Sequence, residues 1–167
     1  MDIRTLHASD APSLLAFELA NRAWFESCVE ARSPDFYNPA GVALHIDDCL
    51  RRMAGGTMHP CLLLDDDGAV VGRCNLKDID RVAGRAEVGY RIARDACGRG
   101  LASAALRHLM ELAYGSWQLH GLDAHVTVAN PASARVLERA DFTVAGSSPE
   151  QALVAGRLID CLHYRHN

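Results

Sequence analysis

The sequence predicts a single α/β (α+β) domain, residues 1–167, in which helices pack on a largely antiparallel sheet. Stretches with strand and helix periodicity follow one another in the order strand, helices, three strands, helix, strand, helix and two strands. An Asp-Gly pair between two apolar stretches, Asp67-Gly68, indicates a hairpin, and hairpins join antiparallel strands. A chain of 167 residues with 49% hydrophobic residues is large enough to bury one core.

The first half of the chain is expected to form three strands and two helices. Either Ser9 or Asp10 can cap the first helix, and the aspartates of the hairpin turn lack the spacing of a calcium loop. In order, we predict a strand over 3–6, a helix over 12–30, a loop over 31–41, a helix over 42–53, strands over 61–64 and 69–76, and a polar turn over 78–84.

The second half is expected to form four strands and two helices. Asn130 followed by Pro131 predicts a helix start, because Asn caps well and Pro suits the first helical position. A turn is expected at Ser147–Glu150 (SSPE). In order, we predict a strand over 87–93, a helix over 101–113, a strand over 122–128, a helix over 131–140, and strands over 142–145 and 151–164.

Composition excludes several classes of protein. A net charge of −4 and a pI near 6.0 give no general reason to expect a nucleic-acid partner. No apolar run reaches the roughly 20 residues that a membrane span requires. The six cysteines are scattered and form no CxxC pair, which favours reduced, mostly buried thiols in a cytoplasmic protein.

A glycine turn between a strand and a helix is the strongest local signal for function. Gly98-Arg99-Gly100 precedes the helix that begins near Leu101, so the N–H groups of the first turn are expected to be uncovered. Those donors and the positive end of the helix dipole suit phosphate oxygens. The ligand is therefore expected to carry phosphate.

Two nucleotide ligands fit this turn less well than an acyl-coenzyme A. A nucleoside-triphosphate loop needs Lys and Ser/Thr after its last glycine, and Leu101-Ala102-Ser103 follows Gly100 instead. The dinucleotide pattern GxGxxG is nearly present, with Asp123 at the distance of a ribose contact. However, Ser103 replaces its third glycine and the motif lies in the middle of the chain, so dinucleotide binding stays open as an alternative.

Four segments, in the right order, resemble the GNAT superfamily of N-acetyltransferases. GYRIARDACGRGLASAAL resembles its pyrophosphate-loop signature, Q/R-x-x-G-x-G/A. ANPASARVLERADF resembles the family's N-x-x-S segment, and GRLIDCLHYRHN is similar to its last strand. Residues 17–37 resemble the ribosomal-protein alanine acetyltransferase (RimJ/RimL-like) branch. The resemblance covers almost the entire chain.

The resemblance implies a fold and a cofactor. The fold would be a mostly antiparallel sheet of about seven strands, splayed between the fourth and the fifth, with helices on both faces. The cofactor would be acetyl-CoA, held by backbone groups along the arm and around the pyrophosphate. The implied cofactor-binding residues are Ile92, Ala93 and Arg94 for the pantetheine arm, Gly98, Arg99, Gly100, Leu101, Ala102 and Ser103 for the pyrophosphate, and Asn130 for the far side of the arm.

The implied reaction is direct attack of a primary amine on the thioester. Ser133 would donate a proton or hydrogen bond to the leaving thiolate, and Glu87, acting through water, would be the base. His125 is an alternative base. The structural alternatives are a helix-start serine, an ion-paired strand carboxylate and a structural histidine. A protein that binds acyl-CoA without turnover is the alternative function, and it would need neither Ser133 nor Glu87.

The acceptor is left open by the sequence. Relatives acetylate protein N-termini, free amino acids, polyamines and antibiotics, and they are often dimers, so a homodimer is also implied. The aromatic residues of the 31–41 loop could equally pin that loop to the core. The candidate acceptor-binding residues are Asn21, Arg22, Phe25, Arg32, Phe36 and Tyr37.

Three positions depart from the family pattern. Asp95 replaces a Gln or Arg, so Arg94 or Arg99 would have to supply the charge near the pyrophosphate. Asp141 replaces a glycine that ends a helix with positive φ, a conformation that Asp tolerates imperfectly. Leu137 stands where other members place a tyrosine acid, so that acid is excluded here.

Overall fold

The computed structural model describes residues 1–167, which form one seven-stranded sheet in the order β1-β2-β3-β4-β5-β7-β6. All neighbouring strands are antiparallel except β4 and β5, which are parallel. The strands are β1 (Asp2–Thr5), β2 (His59–Leu64), β3 (Val70–Asp80), β4 (Arg85–Ile92), β5 (Gly121–Thr127), β6 (Thr143–Val154) and β7 (Arg157–His166). The predicted sheet is confirmed.

Helices cover both faces of the sheet. Leu62 on β2 packs with one group of helices, whereas its neighbours Cys61 and Leu63 pack with the other, because successive strand side chains point to opposite faces. The helices are α1 (Ala11–Ala20), α2 (Arg22–Glu26) and α3 (Pro39–Ala54) on one face, and α4 (Leu101–Glu111) and α5 (Pro131–Glu138) on the other. No helix has the length and apolar character to cross a membrane.

The parallel seam between β4 and β5 is short. Its pairs are Arg85 with Gly121, Ala86 with Leu122 and Glu87 with Asp123, and beyond them β4 and β5 are not paired with each other as far as Ile92 and Thr127. The sheet is therefore open between its fourth and fifth strands, as predicted.

The predicted first helix is broken in two. Helix α1 ends at Ala20, and Asn21 (φ −109°) separates it from α2, which ends at Glu26 rather than near residue 30. Asp10 does not cap α1 with its side chain. Its carboxylate instead accepts hydrogen bonds from the His7 N–H (2.7 Å) and from Arg4 (2.7 and 2.9 Å). Asp10 therefore closes the short 3-10 turn Ala8–Asp10 that precedes α1, and its carboxylate is not free to cap α1.

Three other predicted boundaries are wrong. Helix α3 begins at Pro39, inside the predicted loop, because the Asn38 side chain accepts a hydrogen bond from the Gly41 N–H at 2.9 Å. Strand β3 continues to Asp80, through part of the predicted polar turn. The last reversal lies at Ala155-Gly156, where φ is 49° and 77°, and β6 continues through the predicted SSPE turn with a shift in its pairing register between Ser148 and Ala152.

Candidate active site

The glycine turn presents a row of free main-chain donors. Gly98 and Gly100 both have φ of 78°, and a Cβ added at either position would meet no atom within 4 Å, so the conformation and not crowding requires glycine. No acceptor within the chain takes the N–H groups of residues 98–103, and α4 has no capping side chain. These six donors stand at the start of a helix of eleven residues, an arrangement that suits the binding of an anion.

A mostly apolar cavity of about 310 Å³, which we call the cofactor cavity, begins at this turn and runs toward the open seam. Of the predicted cofactor residues, Ala93, Arg94 and Arg99 do not line it. Arg139, which the sequence analysis missed, adds a positive charge to the wall. Predicted residues that line the cavity are Ile92, Gly98, Gly100, Leu101, Ala102, Ser103, Asn130 and Ser133.

Two of the three backbone N–H groups expected to bind the pantetheine arm at the end of β4 are already bonded within the chain. The N–H of Ala93 donates to Val71 O on β3 (2.9 Å), so it faces away from the seam. The N–H of Arg94 donates to Asn21 Oδ1 (2.9 Å). Ile92 O accepts from the indole Nε1 of Trp24 at 3.2 Å. Of the three predicted residues, only Ile92 lines the cavity.

A second cavity, of about 400 Å³, lies on the α1–α3 face of the sheet. We call it the acceptor cleft. Alternate residues of β3, β4 and β5 form its floor, because strand side chains at every second position share a face. Helix α3 forms one wall. The floor residues are Arg73, Asn75, Lys77, Glu87, Gly89, Arg91, His125 and Thr127, and the α3 residues are His45, Asp48, Cys49 and Arg52.

The two cavities meet at a hydroxyl pair. Both are lined by Tyr90 and Ser133, and the two hydroxyl oxygens lie 2.9 Å apart. Asn130 caps α5 as predicted: its side chain accepts from the Ser133 N–H at 3.2 Å, which fixes Ser133 at the junction. Burial raises the pKa of Tyr90, partly opposed by the hydrogen bond with Ser133, so the phenol is protonated at neutral pH. The sequence analysis missed Tyr90.

The two candidate bases are in contact with each other. Glu87 accepts a hydrogen bond from Lys77 Nζ (2.6 Å), and its other oxygen lies 3.2 Å from His125 Nδ1. The His125 ring stacks on that of His163, with centroids 4.8 Å apart. Both the carboxylate and the imidazole line the acceptor cleft, so an amine bound there has an acceptor for its proton.

Asp123 is fully engaged. Burial would raise the pKa of Asp123, but hydrogen bonds from Arg85, His163 and Arg165 outweigh it and lower this pKa to about 2. The carboxylate proposed as a ribose contact for a dinucleotide is thus already bonded to three side chains.

Four of the six candidate acceptor residues contact one another, because the Arg22 guanidinium lies over the Tyr37 ring at 4.2 Å and the Arg32 guanidinium lies over the Phe36 ring at 4.3 Å. The six residues do not line one cavity, however. Arg32 lines the acceptor cleft, whereas Phe25 lines the cofactor cavity. Phe36 is buried and packs edge-on against Tyr37, with ring centroids 5.2 Å apart. The remaining candidates line neither cavity: Asn21, Arg22, Phe36 and Tyr37.

Two departures from the family pattern have clear local outcomes. Asp141 does adopt positive φ, 64°, three residues after the end of α5 at Glu138, as expected from the glycine it replaces. Leu137 is buried and lines the acceptor cleft. Asp95, Arg94 and Arg99 lie around the glycine turn, and Asp95 and Arg99 are exposed there.

A sheet opened between parallel neighbours, with a row of free N–H donors beside the opening, is the arrangement that the resemblance to acyltransferases working on coenzyme A thioesters implies. The chain belongs to the GNAT acetyltransferase domain family, whose profile matches residues 1–143. The family uses acetyl-CoA as its acyl donor, and the chain is by this membership an N-acetyltransferase.

Relatives agree with this assignment, and solved structures share the fold. The chain is 28% identical over 156 residues to the probable N-acetyltransferase YjcK of Bacillus subtilis, covering 92% of this chain and 86% of YjcK. Two other Bacillus relatives match over only 56% and 54% of their own length.

The ribosomal-protein-S5-alanine acetyltransferase of Vibrio fischeri superimposes with a TM-score of 0.93 at 20% identity, covering 98% of this chain and 91% of that one. Mycobacterium smegmatis RimJ in complex with CoA-disulfide gives 0.90 at 23%, covering 98% and 80%. The two structures show a shared fold.

Proposed function

We propose that this protein transfers the acetyl group of acetyl-CoA to a primary amine by direct attack of the amine on the thioester. The observation that carries the proposal is the continuity of the site. The free donors of residues 98–103 open into the cofactor cavity, which joins the acceptor cleft at Tyr90 and Ser133. A phosphate-bearing donor and an amine can therefore reach one point from opposite faces of the sheet.

The residues fit this cofactor in charge and polarity. The N–H groups of residues 98–103 would hold the pyrophosphate, Arg139 would add a positive charge, and the apolar walls would enclose the arm. Asn130 would flank the arm. When bound, acetyl-CoA supplies an activated acyl group whose leaving group is a thiolate.

Two hydroxyls are placed to assist departure of that thiolate. Tyr90 and Ser133 share a hydrogen bond at the cavity junction, so one can donate while the other supports it. Because burial raises the pKa of Tyr90, this phenol keeps its proton at neutral pH and acts as a donor. We assign Ser133 and Tyr90 jointly to this role.

Removal of the proton from the amine is assigned to the Glu87–His125 pair. The amine must be neutral to attack, so its proton has to pass to a nearby acceptor, directly or through water. Glu87 is held by Lys77 and orients the His125 ring through Nδ1. Either residue can receive the proton, and the pair delivers it to solvent through the partly exposed imidazole.

Binding and turnover should be tested separately. Acetyl-CoA at about a hundred times its dissociation constant should stabilise the fold by about 2.7 kcal/mol in a thermal-shift assay, whereas NAD should not. Release of CoA with a panel of amines then measures turnover. Ser133→Ala and Glu87→Gln should bind acetyl-CoA normally and lose about 10²- to 10⁴-fold in kcat.

The exposed Ser147→Ala on β6 is the matched control and should be unaffected. Unchanged turnover in both active-site variants would remove the assigned roles. Binding of acetyl-CoA without CoA release for any amine would leave a non-catalytic acyl-CoA-binding protein, and stabilisation by NAD alone would favour a dinucleotide binder.

The compartment and assembly are also proposals. An exposed thiol, Cys97, suits a reducing compartment, and we place the reaction in the cytoplasm. A homodimer stays a prediction, which light scattering of the purified protein tests.

A further inference from the structure

Three arginines surround one buried carboxylate at the acceptor cleft. Glu18 of α1 is completely buried, and its Oε1 accepts hydrogen bonds from Arg73 (2.8 Å) and Arg32 (3.3 Å). Arg91 Nη1 lies 3.7 Å from Oε2, an oxygen that has no hydrogen bond. The cluster therefore holds three positive charges and one negative charge, and all three arginines line the cleft.

The arrangement is unfavourable in the absence of a further anion. Arg73 and Arg91 occupy directly opposite positions on β3 and β4, and like charges opposite each other destabilise a sheet. Arg91 is only 22% exposed, yet its guanidinium makes no hydrogen bond within the chain and lies 5.2 Å from the Phe25 ring. Arg32 Nε is also buried without an acceptor. A buried donor such as Arg32 Nε normally has a partner, and a guanidinium that is mostly removed from water normally has hydrogen-bond acceptors.

The surrounding groups do not supply the missing negative charge. His45 Nε2 lies 2.8 Å from Arg73 Nη2, and because an arginine can only donate, His45 must be the acceptor and neutral. Burial, together with the arginines, lowers the pKa of His45 to about 3. Burial and repulsion by Arg32 lower the pKa of Arg91 to about 10. These shifts agree with an excess of positive charge.

The two acidic residues that line the cleft are already paired. Asp48 accepts a hydrogen bond from Arg51 at 3.1 Å, and Glu87 accepts one from Lys77 at 2.6 Å. Arg91 lies next to Tyr90 along β4 and lines both cavities, so its charge is close to the junction where the acyl group would be transferred.

We propose that the amine acceptor carries a carboxylate, bound by Arg91 with Arg32 and Arg73, and that the substrate class is a small amino carboxylate such as a free amino acid. The proposal rests on the proposed acetyltransferase function. It disfavours polyamines, because their additional positive charges would face three guanidinium groups.

The test compares free amino acids with their carboxamides, which keep the amine and lose the negative charge. The acids should have kcat/KM values about 10- to 100-fold higher than the amides, the range expected for one or two charge-assisted hydrogen bonds. Arg91→Gln should bring the ratio close to one by raising KM for the acids, whereas Arg91→Lys should retain part of it. The matched control is Arg157→Gln, an exposed β7 arginine outside both cavities, which should keep the ratio.

A binding measurement separates this proposal from the proposed function. N-acetyl amino acids, the expected products, should raise the melting temperature of the CoA-saturated protein more than their carboxamides do, and Arg91→Gln should abolish the difference. This result supports carboxylate recognition even if no acceptor in the panel is turned over. Equal stabilisation by acids and amides, or equal or better turnover of the amides, would overturn the proposal while leaving acetyl transfer intact.

Discussion

Replacing Glu18 with Gln should destabilise the fold by about 3–5 kcal/mol, the cost of removing one partner from a buried ion pair. Glutamine has nearly the same volume, so no cavity is created and the loss reports charge. The carboxylate is completely buried and is the only acid against Arg32, Arg73 and Arg91. Without it, one buried and two partly buried guanidinium groups would repel one another. For a chain of this size, the melting temperature should fall by roughly 6–20 °C.

Urea denaturation monitored by circular dichroism measures this loss, with Glu26→Gln as the control. Glu26 pairs with Arg22 at 2.8 Å on the surface of α2 in an i,i+4 arrangement, and such a pair contributes about 0.3–0.5 kcal/mol. A loss below about 1 kcal/mol for Glu18→Gln, close to that of surface pairs, would refute the reasoning. It would mean that the arginines are solvated well enough not to need the carboxylate.

Three further predictions concern single positions. The pKa of His45 is lowered to about 3, so as the pH falls below about 6.5 the unfolded chain takes up a proton at this residue before the folded protein does. Stability is therefore retained above about pH 6.5 and lost toward pH 3 at about 1.4 kcal/mol per pH unit. Urea midpoints should decrease less for His45→Gln than for the wild type as the pH is lowered. Gly100→Ala should cost about 1 kcal/mol of stability and weaken acetyl-CoA binding in calorimetry, whereas Gly68→Ala, at a φ of 82° and equally uncrowded, should cost the same and leave binding unchanged. Asp141→Gly should raise stability by up to about 1 kcal/mol in urea denaturation, since Asp141 has φ of 64°, and a decrease would contradict this account.

Features specified by a few adjacent residues could be predicted from the sequence. Gly98 and Gly100 fix a turn by conformation alone, and Asn130-Pro131 fixes a helix start by one side-chain acceptor and one missing N–H. The same Asn-Pro signal is present at Asn38-Pro39 and caps α3, although two prolines in one segment predict a loop there.

Features that depend on residues far apart in the sequence could not be predicted in this way. Tyr90 and Ser133 meet only because β4 and α5 approach at the open seam, and periodicity alone gave Tyr90 no special character. Glu18 lies within an apolar helical pattern, where nothing local reveals that Arg73, 55 residues away, will be its partner. The break at Asn21 likewise depends on a distant group, since its side chain binds the Arg94 N–H.

The three-residue contact between β4 and β5 has a mechanical consequence. Strands β1–β4 and β5–β7 form two groups within the sheet, and the only backbone ladder between the groups pairs residues 85–87 with residues 121–123. An extended arm of the cofactor bound in the gap would contact both groups of strands and restrict their relative motion. Amide protons of β5 and β7, in the smaller group of strands, should then exchange with deuterium more slowly when the cofactor is bound, even though the glycine turn follows β4 in the larger group.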